Sequence, residues 1–408
     1  AAPNARPPGF IDVRQLIEQL SDDELMRSAD AYFKTMTPAS EQCRKPFGNP
    51  GDAVHQTRHL GLVLDAADLF RGARVLDFGC ATGWLTMGLA QMGCDAIGVD
   101  ISPNALALAE AMKARRAPAQ GGGTLDFLAY DGKRLPLDDE SLDRVICYDA
   151  FHHVRDQAAT LAEFARVLRP GGRAAFIEPG PEHSKTPQSQ AEMARFKVIE
   201  NDVDMAQIAR HAQALGFEPP QMLVQFAQPF TVPVADFLAW SNNGVDRAWA
   251  ARAIDTLQRQ LTNGQCFYLS KGDPRIRGRD SRRPEGLAAR LTLRSARRIA
   301  QGAGYGIELK VLARNIGESH WLTEGVAGQV NLGVHVLSPD GALLDDNFAR
   351  LKLPRGTVAP GDEVLIEGIV GVPAMDDFML RLDLVAELVA WFGSVERTKP
   401  IVLRSADL

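Results

Sequence analysis

The chain has 408 residues, of which 45% are hydrophobic, so it is long enough for two or three domains with separate cores. Its formal net charge of −6 disfavours non-specific phosphate binding, and we expect no nucleic-acid partner. Five cysteines at irregular spacings, without a CxxC pair, predict free thiols rather than a zinc or redox motif. The absence of a signal-like N-terminus and of any apolar run of 18 residues predicts a cytoplasmic protein without a transmembrane segment.

Residues 1–70 predict a helical lid or cap. In residues 12–33 apolar side chains recur every three or four positions, which is the period of an amphipathic helix. Ser21, followed by acidic residues, is typical of a helix start.

Residues 71–245 predict a doubly wound α/β domain, because short apolar runs alternate with amphipathic segments. Five runs read as strands: ARVLDFG, DAIGVDI, LDFLAY, LDRVICYD and GGRAAFIEP. A helix is also predicted over 191–202, and a further helix and strand over 204–226. Residues 246–286 predict a helical, arginine-rich linker. We interpret the arginine run from Arg275 to Arg298 as solvated, with a patch for an anionic substrate or a membrane surface as the alternative.

Residues 287–408 predict an antiparallel β-sandwich. The helical period disappears there, and alternating segments are separated by turn sequences such as SPDG and APGD. This region contains no enzyme motif that we could identify.

The main chemical signal is the segment VLDFGCATG, which lies between a predicted strand and a predicted helix. Glycines at positions such as Gly79 and Gly83 let the backbone turn tightly and approach a ligand. Asp100 ends the second strand about 20 residues later, where a carboxylate can accept hydrogen bonds from both ribose hydroxyls. Asp131 follows the third strand and can accept from an adenine amino group, although a strand-end Asp often only caps a turn.

Residues ~70–225 resemble the class I S-adenosylmethionine-dependent methyltransferases. The resemblance is carried by VLDFGCATG, GVDIS, YDGKRLP, ICYDAFHHVRD and VLRPGG. It implies a Rossmann-like, seven-stranded sheet whose last strand is antiparallel, S-adenosyl-L-methionine as cofactor and S-adenosyl-L-homocysteine as product. The cofactor-binding residues that the resemblance and the strand-end reading predict are Asp77, Gly79, Cys80, Ala81, Gly83, Asp100, Ile101, Asp131, Gly132 and Tyr148.

Two adjacent histidines, His152 and His153, follow the fourth predicted strand at the sheet edge where ligands bind. A hydroxyl acceptor needs a base, and a histidine suits that task. We predict that one of the pair is the base, with His152 preferred, and that Glu178 after the fifth strand orients it. A dyad at these positions resembles that of sugar O-methyltransferases. A metal site that includes His183 is the competing use of these side chains. We predict no metal, because the carboxylate cluster expected at such a site is not evident.

The C-terminal segment resembles the sandwich domain of polysaccharide ABC-transporter ATPases, which implies binding of a glycan. Trp321 and Trp391 are then the aromatic candidates for stacking on sugars, although core packing is the favoured interpretation for each of them. Arg44, Lys45 and His183 are weaker candidates for contacts with the acceptor. Three functions therefore compete: a polysaccharide or sugar-precursor O-methyltransferase, a methyltransferase of a small hydroxylated natural product, and a non-catalytic glycan-binding scaffold. Peripheral membrane association and homo-oligomerisation are left open.

Overall fold

In the computed structural model, the chain divides into two compact units, residues 1–69 with 73–274 and residues 70–72 with 275–408. The structure describes residues 9–115, 123–224, 232–260, 264–272, 279–302, 304–325, 327–354, 356–395 and 398–408. Arg275 and Arg277 of the arginine run lie outside these residues. Within the described residues, no helix is both long enough and apolar enough to span a membrane.

The first unit begins with three helices, α1 (Val13–Gln19), α2 (Asp22–Phe33) and α3 (Pro50–Ala67). The predicted helix start at Ser21 is confirmed. Its hydroxyl accepts from the backbone N–H of Glu24, and the Glu24 carboxylate accepts in return from the Ser21 backbone, which together form a capping box.

A seven-stranded mixed sheet forms the centre of this unit. Its strands are β1 (Arg74–Phe78), β2 (Asp95–Asp100), β3 (Leu125–Ala129), β4 (Leu142–Tyr148), β5 (Leu168–Pro179), β6 (Gln221–Met222) and β7 (Gly264–Ser270), in the order β3-β2-β1-β4-β5-β7-β6. Strands β1 to β5 are parallel, and β7 is antiparallel to both of its neighbours. The Rossmann-like domain is therefore confirmed, and the carboxyl ends of its parallel strands share one edge.

The described part of the first unit also contains the α-helices α4 (Trp84–Gln91), α5 (Pro103–Lys113), α6 (Gln157–Val167), α7 (Pro187–Phe196), α8 (Met205–Ala214), α9 (Val234–Asn243) and α10 (Arg247–Gln260). Side chains of the sheet and of α6 and α8 form one hydrophobic core, which includes Val145, Phe164, Phe176 and Ile208. This core fixes the strands whose ends carry the candidate site.

Two expectations for this unit need correction. Residues 264–270 were expected in a linker, but they form β7 and pair with β5 from Arg173 to Pro179. The strand is buried on both faces around Phe267, so its sequence lacks the alternation that marks a half-buried strand. The helix expected over 191–202 ends at Phe196, because Lys197 adopts a left-handed conformation with φ of 56°.

The second unit consists of antiparallel sheets. Its strands are β8 (Arg279–Asp280), β9 (Ala289–Gln301), β10 (Gly304–Asn315), β11 (Ser319–Leu322), β12 (Val330–Leu337), β13 (Leu343–Lys352), β14 (Thr357–Val358), β15 (Glu363–Gly371), β16 (Met379–Ala386), β17 (Ala390–Trp391) and β18 (Ile401–Arg404). They form the sheets β15-β10-β9, β14-β11-β8 and β13-β12-β16-β17, with β18 paired to β16. Among the described strands of this unit, β8 and β11 are the one parallel pair. Buried side chains such as Leu309 of β10 and Leu382 of β16 share one core. The strands are as predicted, whereas the two-layer sandwich stays a prediction.

Candidate active site

The loop between β1 and α4 makes the tight turn that its glycines predict. Gly79 and Gly83 have φ of 70° and 72°, a region that side chains with a Cβ rarely adopt. The backbone N–H groups of Gly79 and Cys80 both donate to the carbonyl of Val99, at 2.9 Å. A Cβ added to Gly79 would lie 2.6 Å from the Cβ of Ala150, so the loop lies directly against the segment that follows β4.

Two buried carboxylates flank this loop. Asp77 accepts a 2.6 Å hydrogen bond from the Thr86 hydroxyl, and burial raises the pKa of Asp77 to about 7. Asp100 accepts from the backbone N–H groups of Ser102 at 2.8 Å and Ala81 at 2.9 Å, one on each oxygen. Burial also raises the pKa of Asp100. Both Asp100 oxygens keep a lone pair for a further donor.

Asp131 lies at the end of β3, where it caps a turn. One of its oxygens accepts from the backbone N–H groups of Lys133 and Arg134, both at 2.8 Å, and these bonds lower the pKa of the exposed Asp131 carboxyl. Gly132 has φ of 77° and provides the left-handed position of the turn. The structure therefore shows the capping role and leaves the second carboxylate oxygen for the predicted adenine contact.

The other predicted cofactor residues lie at the same sheet edge. The Cys80 thiol is buried, which raises its pKa, and Ile101 follows Asp100 against the hydrophobic core. The Tyr148 hydroxyl lies 3.0 Å from the side-chain oxygen of Gln56 on α3, and the Tyr148 ring packs edge-on against Trp84.

His152 is buried against Glu178, as the sequence predicts for the dyad. Its Nδ1 lies 2.8 Å from Glu178 Oε2, and the other Glu178 oxygen accepts from the backbone N–H groups of Ala150 and Phe151. Burial lowers the pKa of His152, but Glu178, with Asp149 and Glu200, outweighs it and raises that pKa to about 9. His152 is only 3% exposed, so an acceptor can hardly reach it. Its raised pKa also favours the protonated ring, which cannot act as a base.

His153 has the properties that His152 lacks. Its Nδ1 lies 2.6 Å from the backbone carbonyl of Ile199, which can only accept, so Nδ1 carries the proton and Nε2 is the basic nitrogen. Desolvation and the neighbouring His152 lower the pKa of His153. Its side chain is 45% exposed.

Glu200 joins the cluster without any signal in the sequence. Its Oε2 lies 2.6 Å from His183 Nε2 and 4.0 Å from His152 Nε2, and its Oε1 lies 3.5 Å from His153 Nδ1. The early end of α7 brings this residue inward, and the backbone N–H of Asn201 donates to the His152 carbonyl. No local sequence pattern predicts this contact, because Glu200 lies in the segment after α7 and meets histidines that are distant in the sequence.

The remaining predicted acceptor contacts have different environments. Lys45 is half-buried, and burial lowers its pKa, although Asp149 acts in the opposite direction. Desolvation raises the pKa of Asp149, but the charges of His152 and Lys45 outweigh it and lower that pKa. Arg44 is exposed.

Trp321 packs in the core, which is the interpretation that the sequence favours over stacking on a sugar. This side chain is 0% exposed in the core of the second unit, with its ring edge-on to Phe392, because β11 buries it beneath the sheets. Trp391 is half-buried; its ring lies 4.1 Å from that of His335, and the Arg350 guanidinium covers it at 4.6 Å.

Comparisons with known proteins agree with this geometry. Residues 76–176 match the family model described as a methyltransferase domain. An uncharacterized methyltransferase of Mycobacterium bovis is 38% identical over 104 residues, which are 26% of this chain and 39% of that one. A ubiquinone biosynthesis O-methyltransferase of Cereibacter sphaeroides is 33% identical over 103 residues, which are 25% of this chain and 40% of that one. The chain thus spans less than half of the length of these two relatives.

Among solved structures, the phosphoethanolamine N-methyltransferase 2 of Haemonchus contortus in complex with S-adenosyl-L-methionine aligns with a TM-score of 0.39 and 18% identity. The alignment covers 66% of this chain and 61% of that one.

The residues at the sheet edge fit S-adenosylmethionine. Asp100 offers one acceptor on each oxygen to the two ribose hydroxyls. The buried Asp77 carboxyl has no cationic partner among the residues that the structure describes, and an ammonium group would provide one. The left-handed glycines bring the backbone of the loop close to the same place. Residues 76–176 match the methyltransferase domain model, and these features support S-adenosylmethionine as the cofactor of that domain.

Proposed function

We propose that the protein is an O-methyltransferase whose acceptor is a sugar hydroxyl of a bacterial cell-surface polysaccharide or of its precursor. The observation that carries this proposal is the half-exposed His153, whose basic nitrogen is defined by the bond from Nδ1 to the Ile199 carbonyl. The relative from Cereibacter sphaeroides is also named an O-methyltransferase.

The histidine cluster supplies what a hydroxyl acceptor needs. A sugar hydroxyl is a poor nucleophile until it loses its proton, and His153 Nε2 takes up that proton. Glu200, 3.5 Å from Nδ1, stabilises the positive charge that His153 then gains. The pair of His152 and Glu178 holds the segment that follows β4 in place. We therefore assign the base to His153 and a positioning role to His152.

The cofactor lies along the glycine loop in this proposal and supplies an activated methyl group. Asp77, Gly79, Cys80, Ala81 and Gly83 hold its methionine end. Asp100 with Ile101 holds the ribose, Asp131 with Gly132 holds the adenine, and Tyr148 borders the methyl group; these roles follow the resemblance of the motifs.

The N-terminal helices exclude water from this edge as a lid. Asp30 of α2 accepts from the Ser102 hydroxyl at 2.8 Å and from both the backbone and the side-chain amide of Asn104, at 2.9 and 2.8 Å. Asp22 pairs with Lys133 at 2.9 Å and with Arg155 at 2.6 Å. The lid is thus attached to the loops that follow Asp100, Asp131 and His153.

The second unit supports a glycan acceptor only through its resemblance to glycan-binding sandwich domains, with Trp391 as the remaining aromatic candidate. A small hydroxylated molecule is the second candidate acceptor. The burial of Trp321 favours it, because one of the two candidate sugar-stacking positions is lost.

The acceptor is tested by measuring S-adenosylhomocysteine release with glycans, sugar nucleotides and small hydroxylated metabolites. We expect turnover with a sugar-containing class. Turnover with small aromatic or aliphatic hydroxyls alone would instead establish the second candidate. Tight cofactor binding without turnover on any acceptor would contradict both and favour the non-catalytic scaffold.

A further inference from the structure

We propose that His152, His153 and Glu200 also bind a divalent transition-metal ion of the Zn²⁺ type, and that this ion inhibits methyl transfer. The site itself stands on geometry alone, whereas the inhibition rests on the proposed role of His153 as the base.

The three side chains have the types and the spacing of a metal site. One ligand atom from each of them lies within 4.8 Å of the others. Two imidazoles and one carboxylate form a ligand set that zinc uses in proteins, usually with an open fourth position.

In both histidines an oxygen atom holds one ring nitrogen, as is common in metal ligands. His152 Nδ1 is bound to Glu178 at 2.8 Å, and His153 Nδ1 is bound to the Ile199 carbonyl at 2.6 Å. In metal sites, an outer oxygen commonly holds one ring nitrogen and thereby directs the other at the ion. On His152, Nε2 is therefore the nitrogen that would bind the ion. On His153 the nitrogen nearest to Glu200 is Nδ1, at 3.5 Å from Oε1, so binding through Nε2 requires this ring to reorient.

Glu200 contributes a second, independent observation. Its Oε1 atom is buried and has no hydrogen-bond partner among the residues that the structure describes. A buried carboxylate oxygen without a partner is costly, and a cation would satisfy it. Glu200 Oε2 is bound to His183, which fixes the orientation of the carboxylate.

An ion between His152 and Glu200 requires the Glu200 carboxylate to turn, because Oε2 is bound to His183 whereas Oε1 is the oxygen without a partner. His152 Nε2 and Glu200 Oε2 are 4.0 Å apart, which is too far for a hydrogen bond. Two ligands at about 2.1 Å from a tetrahedral ion would be roughly 3.4 Å apart. The half-exposed His153 side chain offers a path from solvent.

Metal binding and catalysis would exclude each other. An ion on Nε2 of His153 occupies the lone pair that would otherwise take the acceptor's proton. Coordination by His152 requires loss of the proton on its Nε2, which is released to solvent. The expectation of no metal rested on a missing carboxylate cluster, whereas this site is built mainly from nitrogen ligands.

The site is tested on the full, metal-free chain without cofactor or acceptor. We expect calorimetry with Zn²⁺ to give one ion per chain, and Co²⁺ to give the visible absorption of a tetrahedral nitrogen and oxygen site. Glu200→Gln should weaken binding by at least about tenfold. Glu182→Gln, on the same segment but exposed and paired with Lys185, is the matched control and should bind like the wild type.

His153→Gln serves as a second variant if Glu200→Gln fails to fold, and it should weaken binding to a similar degree. Absence of stoichiometric binding in the wild type, or wild-type affinity in a folded Glu200→Gln variant, would overturn the site.

The inhibition is tested by titrating Zn²⁺ into a turnover assay. We expect half-inhibition at the Kd from calorimetry and full recovery with a chelator. Turnover that is unchanged by Zn²⁺, or that requires it, would overturn the inhibition. Zn²⁺ binding in a protein that methylates no acceptor would support the site while contradicting the proposed function, so the two failures are distinguishable.

Discussion

At the scale of single residues, the two carboxylates beside the glycine loop, Asp77 and Asp100, differ in the hydrogen-bond donors that stabilise their negative charge. Asp100 is held by two backbone N–H groups, whereas the Asp77 carboxylate has one hydroxyl partner in a buried place. The charge on Asp77 is thus the one that depends most on a cationic ligand.

We predict that the affinity for S-adenosylmethionine rises between pH 6 and pH 8. Burial raises the pKa of Asp77 to about 7, so the carboxyl is neutral below that pH and attracts the cofactor's ammonium only above it. The affinity should fall by up to about tenfold per pH unit below 7. Calorimetry at three pH values measures this. Asp77→Asn should bind weakly with a flat profile, and the same slope in that variant would contradict the assignment.

A second prediction concerns the pair of Glu178 and His152. Glu178→Gln leaves a buried imidazolium without its counter-charge, so the free energy of unfolding at pH 6.5 should fall by about 3 kcal/mol. Folding raises the pKa of His152 above its ordinary value, so the pair stabilises the fold fully at a pH below that ordinary pKa. This stabilisation is lost as the pH rises through the folded-state pKa of His152, about 9. The loss should therefore shrink between pH 6.5 and pH 9 in urea denaturation. An equal loss of stability at both pH values would show that Glu178 stabilises the fold through its bonds to backbone N–H groups and not through the charge of His152.

At the scale of elements, the sequence predicts much of the fold. The strands β1 to β5 follow from apolar runs with a helix between them, and the six long strands of the second unit follow from alternation. Strand β7 could not be recognised from the sequence, because it is buried on both faces and so lacks the alternation of a half-buried strand.

Site residues that motifs mark at strand ends were predictable from the sequence. Site residues that only a tertiary contact brings to the site were not. Asp77, Asp100, His152 and Glu178 lie where the sequence places them. Glu200 needs the left-handed Lys197 to end α7, which no pattern indicates. Assigning the base to His152 or to His153 requires the burial and the hydrogen-bond partners of each ring, which only the structure provides.

The attachment of α2 to α5 gives a prediction at this scale. Asp30→Ala removes three hydrogen bonds to Ser102 and Asn104, so the lid should open more often and S-adenosylmethionine should bind several-fold more weakly. Limited proteolysis should also cleave residues 9–45 faster. Asp23→Ala, on the same helix, is the control. Unchanged affinity in Asp30→Ala would mean that the helix does not cover the cofactor.

At the scale of the whole molecule, every predicted cofactor residue lies in the first unit. We therefore predict that residues 1–274 alone bind S-adenosylmethionine with an affinity within about threefold of the full chain. If the second unit recruits a glycan, the truncated chain should lose turnover on polymeric acceptors while it keeps turnover on short ones. Equal loss on both would show that the second unit supports the fold of the first.

The most direct test of the central claim is methyl transfer from S-adenosylmethionine to a sugar hydroxyl by the wild type and by His153→Gln, at saturating cofactor. His211→Gln, a histidine of α8 outside the cluster, is the matched control. The account predicts that His153→Gln loses roughly 10²–10⁴-fold in turnover with its cofactor affinity unchanged, and that His211→Gln behaves like the wild type. Full turnover in His153→Gln would contradict it.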